Sequence, residues 1–202
     1  MEKRRMVIDD YVHFQPRTRD ELRKWLTENH ERLPGAWVMF SKKASGLTRV
    51  AYSDLVDELL CFGWIDSTIR PIDEYLYKQL ITPRKPKSVW SRVNKEKVAR
   101  LTAEGLMQPK GLEIIEICKS NGSWTMFDAV ENMEIPPDLE AAFAKRPELK
   151  NFFLAQAPSK IRAGLYPLGL AKTQPTRDKR IAELLTHLET ESFGRTKITE
   201  AK

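Results

Sequence analysis

The stretch Cys61-Phe-Gly-Trp-Ile-Asp66 and the later stretch Thr82-Pro-Arg-Lys-Pro-Lys-Ser-Val-Trp-Ser-Arg-Val-Asn94 concentrate aromatic, cationic and acidic residues. An apolar helical pattern precedes the first stretch and stops at Gly63, a residue type that readily takes the left-handed conformation of a helix end. The segments 64–69 and 75–81 are rich in strand-forming residues, and the turn-like segment 70–74 separates them. The sequence therefore predicts a helix that leads directly into a β-hairpin.

The second stretch begins a strongly basic segment. Pro83 and Pro86 deny it the hydrogen bonds of a regular strand, which predicts an extended connector. Between residues 84 and 100 stand seven lysines and arginines and only one acid, Glu96, an excess equal to the formal net charge of +6 of the whole chain. The positive charge of the protein is therefore concentrated in this segment.

Toward the N-terminus, residues 11–15 and 36–41 are typical of strands. A helix from about 19 to 29 lies between them, and Thr18 with Glu21 forms the pattern of a capping box at its start. Ser53 is the predicted cap of the helix that ends at Gly63. Together with the hairpin, these elements predict a small antiparallel sheet flanked by helices.

Toward the C-terminus, one helix is expected to begin at Ser91 or Asn94 and another at Pro109. The helical periodicity lapses after Ser123, and the pair Pro136-Pro137 marks a candidate domain boundary. Four amphipathic helices are predicted beyond it, at 138–145, 147–156, 159–171 and 175–189. We thus predict an α+β fold, with an α+β domain over residues 8–132 and a small helical domain over residues 137–192.

Bulk composition narrows the class of protein. The 202 residues are 41% hydrophobic and 31% charged, which is typical of globular chains. No apolar run approaches the roughly 18 residues of a membrane helix, and the opening residues 1–10 lack the apolar core of a secretory signal. We therefore expect a cytoplasmic protein without membrane insertion, whose two cysteines are reduced and buried.

Metal and nucleotide motifs are not found. The three histidines are far apart, no Cys-x-x-Cys occurs, and neither glycine-rich phosphate-loop string is present. The sequence therefore predicts activity without a metal or an organic cofactor.

We predict a ligand site between the strand that starts at Trp64 and the basic segment. Two arginines are expected to hold an anionic group, two tryptophans to enclose an apolar part, an aspartate to orient an arginine, and hydroxyl or amide groups to add hydrogen bonds. These residues are Trp64, Asp66, Thr82, Arg84, Ser88, Trp90, Ser91, Arg92 and Asn94. The predicted ligand is a small anion, such as one that carries phosphate.

Three other interpretations stay open. The protein is an enzyme if Asp66 serves as a general base or Cys61 as a nucleophile on a small anionic substrate. It is a nucleic-acid-binding protein if the basic segment contacts several phosphates, and an interaction module if the C-terminal helices dock a protein partner. The basic segment is also consistent with a merely solvated surface.

Several motifs resemble one bacterial family. They are Trp25 to His30, Trp37 with Lys42-Lys43, Cys61 to Asp66, Thr82-Pro-Arg84, Ser88-x-Trp90-Ser91 with Asn94, Gly105-x-Met107, and Thr176-Arg177-x-x-Arg180-Ile181. Together they are similar to the YdeI/OmpD-associated family, also called bacteriocin-protection proteins. The resemblance implies a role in envelope stress or in tolerance of antimicrobial peptides, and it implies no catalytic residues.

Overall fold

A computed structural model describes residues 7–42 and 50–199, with side chains up to Ser192. Lys43, part of one of the motifs above, lies outside the described residues. The chain divides into two compact units between Trp124 and Thr125. The domain limits predicted at residues 132 and 137 stay a prediction.

In its described part the N-terminal unit contains four strands, four α-helices and a short 3-10 helix at Ile8–Asp10. In chain order the strands and α-helices are β1 (Val12–Phe14), α1 (Arg19–Asn29), β2 (Ala36–Ser41), α2 (Tyr52–Cys61), β3 (Trp64–Pro71), β4 (Leu76–Pro83), α3 (Arg92–Ala103) and α4 (Pro109–Ser120). The strands form one sheet in the order β1-β2-β4-β3. The predicted hairpin is the pair β3 and β4.

The sheet is mixed, which differs from the wholly antiparallel sheet that we predicted. β2 and β3 each pair antiparallel with β4, but β1 runs parallel to β2, with Val12 opposite Ala36. Parallel neighbours need a long crossover between them, and α1 supplies it. The α+β class is confirmed.

Local end signals explain most helix boundaries. Thr18 Oγ1 accepts the N–H of Glu21 at 3.2 Å, and Ser91 Oγ accepts the N–H of Asn94 at 3.3 Å. Gly63 ends α2 with a φ of +72°, a value that disfavours any side chain. Thr18 and Ser91 are therefore confirmed as caps, and Gly63 as the stop. The capping box is only half formed, because Glu21 Oε2 accepts the N–H of Arg17 at 2.8 Å and not that of Thr18.

The predicted cap at Ser53 is wrong. Ala51 is the N-cap of α2, and its carbonyl oxygen accepts the N–H groups of Asp54 and Leu55 at 3.0 and 3.1 Å. Its backbone is extended and its side chain makes no capping hydrogen bond. The helix therefore starts one residue before Ser53, which lies in the first turn.

α2 is the centre of the N-terminal unit. It packs against α1, α3, α4 and β3. Two adjacent buried acids on it form ion pairs with different helices: Glu58 accepts from Arg19 and Arg23 of α1, and Asp57 from Lys97 and Arg100 of α3. Around them lies a core that includes Trp64 and Trp90, both 1% exposed.

The C-terminal unit contains only helices in its described residues. They are α5 (Asp128–Glu131), α6 (Pro137–Ala144), α7 (Pro147–Leu154), α8 (Pro158–Gly169) and α9 (Gln174–Thr199). The short α5 was not predicted, and α9 extends beyond the predicted end at 189. The predicted apolar stripes are buried, as at Phe143, Phe153, Leu165 and Leu184. None of the helices within the described ranges is both long enough and apolar enough to span a bilayer.

Candidate functional site

The basic segment crosses from β4 to α3 as a connector, residues 84–91. Its start is fixed by the N–H of Arg84, which donates to the carbonyl of Gly63 at 2.9 Å. Its middle is a tight turn in which Ser88 Oγ accepts the N–H of Lys85 at 3.0 Å. Three side chains after the connector donate to the carbonyl of Pro86. These contacts hold the proline-containing connector in one defined conformation.

The side chain of Arg84, the first residue of the connector, is buried and is not exposed to solvent. It is 5% exposed, and its guanidinium carbon lies 3.9 Å from the centroid of the Trp90 ring. The Trp90 ring lies 4.8 Å from that of Trp124. A cation over an indole face is attracted by the ring quadrupole. The arginine therefore stacks on the buried Trp90 ring, which in turn contacts Trp124.

Three polar atoms of Arg84 and Trp90 have no hydrogen-bond partner among the described residues. Arg84 Nε and Nη1 and Trp90 Nε1 are buried and make no hydrogen bond with any described residue. Burial lowers the pKa of Arg84 to about 10, although Cys118 and Asp66 act electrostatically in the opposite direction. A buried charge that lacks a partner is costly. Over residues 7–42 and 50–199, the site therefore presents three donor atoms and a positive charge for which no acceptor is found.

Asp66 belongs to a second polar cluster, together with Gln79 and Tyr52. Its Oδ2 accepts from Gln79 Nε2 at 2.6 Å and from Tyr52 Oη at 2.8 Å. Burial and the hydrogen bond to Asp66 raise the pKa of Tyr52 to about 12. Among the described residues no hydrogen bond joins Asp66 to Arg84, so their interaction is electrostatic at longer range.

Gln79 completes this cluster and adds an unpaired acceptor. The side chain is 1% exposed, and its Oε1 has no hydrogen-bond partner in the described structure. Neither Gln79 nor Tyr52 is among the site residues predicted from the sequence. The sequence feature that could have indicated Gln79 is an amide side chain directly before the apolar residues Leu80 and Ile81 of a predicted strand.

The other predicted site residues have structural contacts. Trp64 packs edge-on against Trp25 and donates from Nε1 to the carbonyl of His30 at 3.1 Å. Arg92 is exposed on the first turn of α3, and Thr82 is half-buried on β4. Ser91 and Asn94 form the cap of α3, and Ser88 forms the turn of the connector. The structure brings Arg84 and Trp90 into contact, and places Asp66 within electrostatic range of Arg84.

Part of the positive charge of the basic segment is neutralised. Lys97 Nζ lies 2.6 Å from Asp57 Oδ1, and Arg100 pairs with the other carboxylate oxygen. Lys85 and Lys87 remain exposed. A continuous basic track for a polynucleotide is therefore shorter than the sequence indicates.

The environment of Cys61 argues against an enzyme that uses this residue as its nucleophile. The residue is wholly buried, and burial raises the pKa of its thiol. A nucleophilic cysteine needs the thiolate, so this environment disfavours that role. Over the stretches 7–42 and 50–199, no three His, Cys, Asp or Glu side chains are grouped in a way that suits a metal ion.

The C-terminal unit contains a cavity of about 330 Å³ among α7, α8 and α9. Its walls include Phe153, Gly164 and Leu184, and His187 and Glu191 lie at its rim, 3.6 Å apart. The buried polar atoms without a partner in the described structure all lie in the other unit. The cavity therefore offers volume but no comparable specific recognition.

Two family models match different parts of the chain. Residues 132–191 match the family described as Bacteriocin-protection, YdeI or OmpD-Associated. This match contains the motif at Thr176 to Ile181, and it supports the resemblance for the C-terminal part only. The motifs around Cys61 to Asp66 and Arg84 to Asn94 lie instead in residues 14–114, which match a Domain of unknown function (DUF8412).

No curated protein and no solved structure has significant similarity to the chain. The connector, Arg84, Trp90, Asp66 and Gln79 all fall within residues 14–114. Because the model that matches this range covers half of the sequence, the chain belongs to the family described as Domain of unknown function (DUF8412).

Proposed function

We propose that this protein binds a small anionic ligand at Arg84, without a metal or an organic cofactor. The observation that carries the proposal is the buried guanidinium whose Nε and Nη1 have no acceptor within the described structure. A carboxylate or phosphate supplies both the missing negative charge and the missing acceptor oxygens. Trp90 forms one wall of the site and contributes a further free donor at Nε1.

The contrast with the other buried charges supports this proposal. Three charged side chains are buried in the described residues, Asp57, Glu58 and Arg84. Each of the two acids is paired with two cations of a neighbouring helix. Arg84 has no carboxylate within 4 Å in the described part of the chain. A fold that compensates its other buried charges leaves this one for an external partner.

The test is stabilisation by simple anions. Phosphate, sulfate and acetate are added in a low-chloride buffer to the wild type, to Arg84→Met and to Lys87→Met, whose exposed cation lies on the same connector. A ligand at a hundred times its dissociation constant stabilises the folded state by about 2.7 kcal/mol. We expect such stabilisation in the wild type and in Lys87→Met, and none in Arg84→Met. Equal responses of all three proteins contradict the proposal.

Salt dependence separates a small anion from a polynucleotide. Binding of single-stranded nucleic acid weakens by about 0.7 log units per log unit of salt for each phosphate contacted. Because Lys97 and Arg100 are already paired with Asp57, we expect only a shallow slope. A steep slope that indicates four or more contacts identifies a nucleic-acid-binding protein instead.

A second proposal rests on residues 132–191, which match the bacteriocin-protection family. We infer that the protein contributes to tolerance of antimicrobial peptides, in line with the words of that family's description. Cells that express the chain are compared with cells that carry an empty vector, during exposure to a bacteriocin. Greater survival of the expressing cells is expected, and equal survival contradicts this role. The same assay with Arg84→Met determines whether tolerance depends on the anion site.

A further inference from the structure

The buried side-chain oxygen of Gln79 needs a hydrogen-bond donor, whereas the buried guanidinium of Arg84 needs an acceptor. In the part of the chain that the structure describes, Arg84 and Trp90 present donors that lack an acceptor, whereas Gln79 Oε1 is an acceptor that lacks a donor. Only 1% of Gln79 is exposed, so bulk water does not satisfy this oxygen. A simple anion, which has only acceptors, leaves Gln79 unsatisfied.

The orientation of the Gln79 amide is fixed by its neighbour. Its Nε2 donates to Asp66 Oδ2 at 2.6 Å. If the amide were turned over, Oε1 would face the carboxylate, and two acceptors would meet without a hydrogen between them. The free group is therefore the oxygen.

Asp66 interacts with both Gln79 and Arg84. Its carboxylate is hydrogen-bonded to Gln79 and to Tyr52, and it interacts electrostatically with Arg84. Near a carboxylate, a donor that is itself positively charged is favoured over a neutral one. Tyr52 is 54% exposed, so the cluster extends from the interior to the protein surface.

We infer that the ligand is a small aminocarboxylate, whose carboxylate pairs with Arg84 and whose ammonium group donates toward Gln79 Oε1 and Asp66. This inference rests on the proposed function, because it assigns a second contact to the ligand held at Arg84. It excludes plain carboxylates and inorganic phosphate as the best ligands, since neither carries a donor cation.

Matched pairs of probes test the second contact. Glycine, β-alanine and γ-aminobutyrate are titrated against acetate, propionate and butyrate, their counterparts without an amine, by calorimetry on the full-length protein. A buried acceptor left unpaired is worth about a tenfold change or more in affinity. We expect at least one amino acid of the series to bind about tenfold more tightly than its counterpart, and the best chain length to report the spacing of the two contacts.

Variants assign the preference to its residues. Gln79→Met removes the acceptor, so it should reduce the preference for the amino acid to about one while the plain carboxylate still binds. Asp66→Asn keeps the size of the side chain and should reduce the preference as well, which covers the case in which Gln79→Met does not fold. Lys87→Met is the matched control, because its side chain is exposed on the connector and belongs to neither the Gln79 nor the Asp66 cluster.

The outcomes separate the two proposals. If carboxylates bind through Arg84 but the amino acids show no advantage, the aminocarboxylate inference is overturned and the anion site stands. If the advantage persists in both Gln79→Met and Asp66→Asn, the second contact lies elsewhere and the inference is also overturned. If neither series nor phosphate binds the wild type, the anion site itself is refuted.

Discussion

Replacement of Arg84 by methionine should stabilise the unliganded protein. Burial lowers the pKa of Arg84 to about 10, and a fall of this size corresponds to about 3 kcal/mol of unfavourable free energy for the charged form. The contact with the Trp90 ring, 3.9 Å from the guanidinium carbon, returns about 1 to 2 kcal/mol. Methionine fills a comparable space without a charge. The net expectation is a gain of about 1 to 2 kcal/mol in the free energy of unfolding.

Tryptophan fluorescence during urea unfolding measures this gain in stability for the N-terminal unit. All five tryptophans lie at or before residue 124, so the signal reports the N-terminal unit alone. The urea midpoint for Arg84→Met should rise, by the gain in free energy divided by the slope of that free energy against urea concentration. Lys87→Met, on the exposed part of the connector, should change the free energy of unfolding by no more than about 0.5 kcal/mol.

The pH dependence of the gain follows from the lowered pKa. Below about pH 10 the guanidinium is charged in both folded and unfolded states, so the full cost of burial applies. As the pH rises through this pKa, the folded protein releases the proton first, and the wild type gains stability. The advantage of Arg84→Met should therefore be constant between about pH 7 and 9 and shrink at higher pH. If Arg84→Met is less stable than the wild type near neutral pH, Arg84 is already satisfied within the protein, and the basis of the anion site is refuted.

Three further predictions concern the N-terminal unit, each measured by the same urea assay. Gly111→Ala should cost about 3 kcal/mol, because a Cβ at this position would lie 2.1 Å from the carbonyl oxygen of Cys61; a cost below about 1 kcal/mol would show that α2 and α4 separate easily. Trp64→Phe should cost about 2 to 3 kcal/mol, since it removes both core volume and the donor to His30, and an unchanged midpoint would contradict the role of Trp64 as a core anchor. Burial raises the pKa of Asp57, but hydrogen bonds from two cations of α3 outweigh it and hold the pKa below its usual range. The stabilisation from Asp57 is thus present above the ordinary carboxyl pKa and lost as the pH falls through the lowered value, so the wild type and Asp57→Asn should converge in acid, and a constant difference would argue against the ion pair.

Elements specified by neighbouring residues were predictable from the sequence. Gly63, Ser91 and Pro109 mark helix ends through their own backbone or side-chain geometry, and the structure places the ends at these residues. The β3–β4 hairpin is likewise local, because a short turn joins two strand-forming segments. Such signals act within a few residues, so no knowledge of the tertiary fold is needed to interpret them.

Features that depend on distant partners were not predictable. The parallel pairing of β1 with β2 depends on how α1 crosses over, and the three residues of β1 carry no pattern that specifies a direction. The burial of Arg84 depends on the rings of Trp90 and Trp124 and on contacts made by the end of α4. A run of lysines and arginines normally indicates solvent exposure. The sequence therefore assigned Arg84 and Arg92 to one ligand site and did not indicate that Arg84 is buried whereas Arg92 is exposed.

The carbonyl oxygen of Pro86 has a consequence for the rate at which a ligand arrives. It accepts from Asn121 Nδ2 at 2.7 Å, from Ser123 Oγ at 3.2 Å and from Cys118 Sγ at 3.4 Å. Since these donors converge on one oxygen, we expect the middle of the connector to open as a unit and not residue by residue. If an anion reaches the buried Arg84 by displacing this connector, opening is a separate step with its own rate constant. In stopped-flow mixing, the observed association rate should rise with anion concentration at first and then reach a plateau, and Asn121→Ala should raise that plateau.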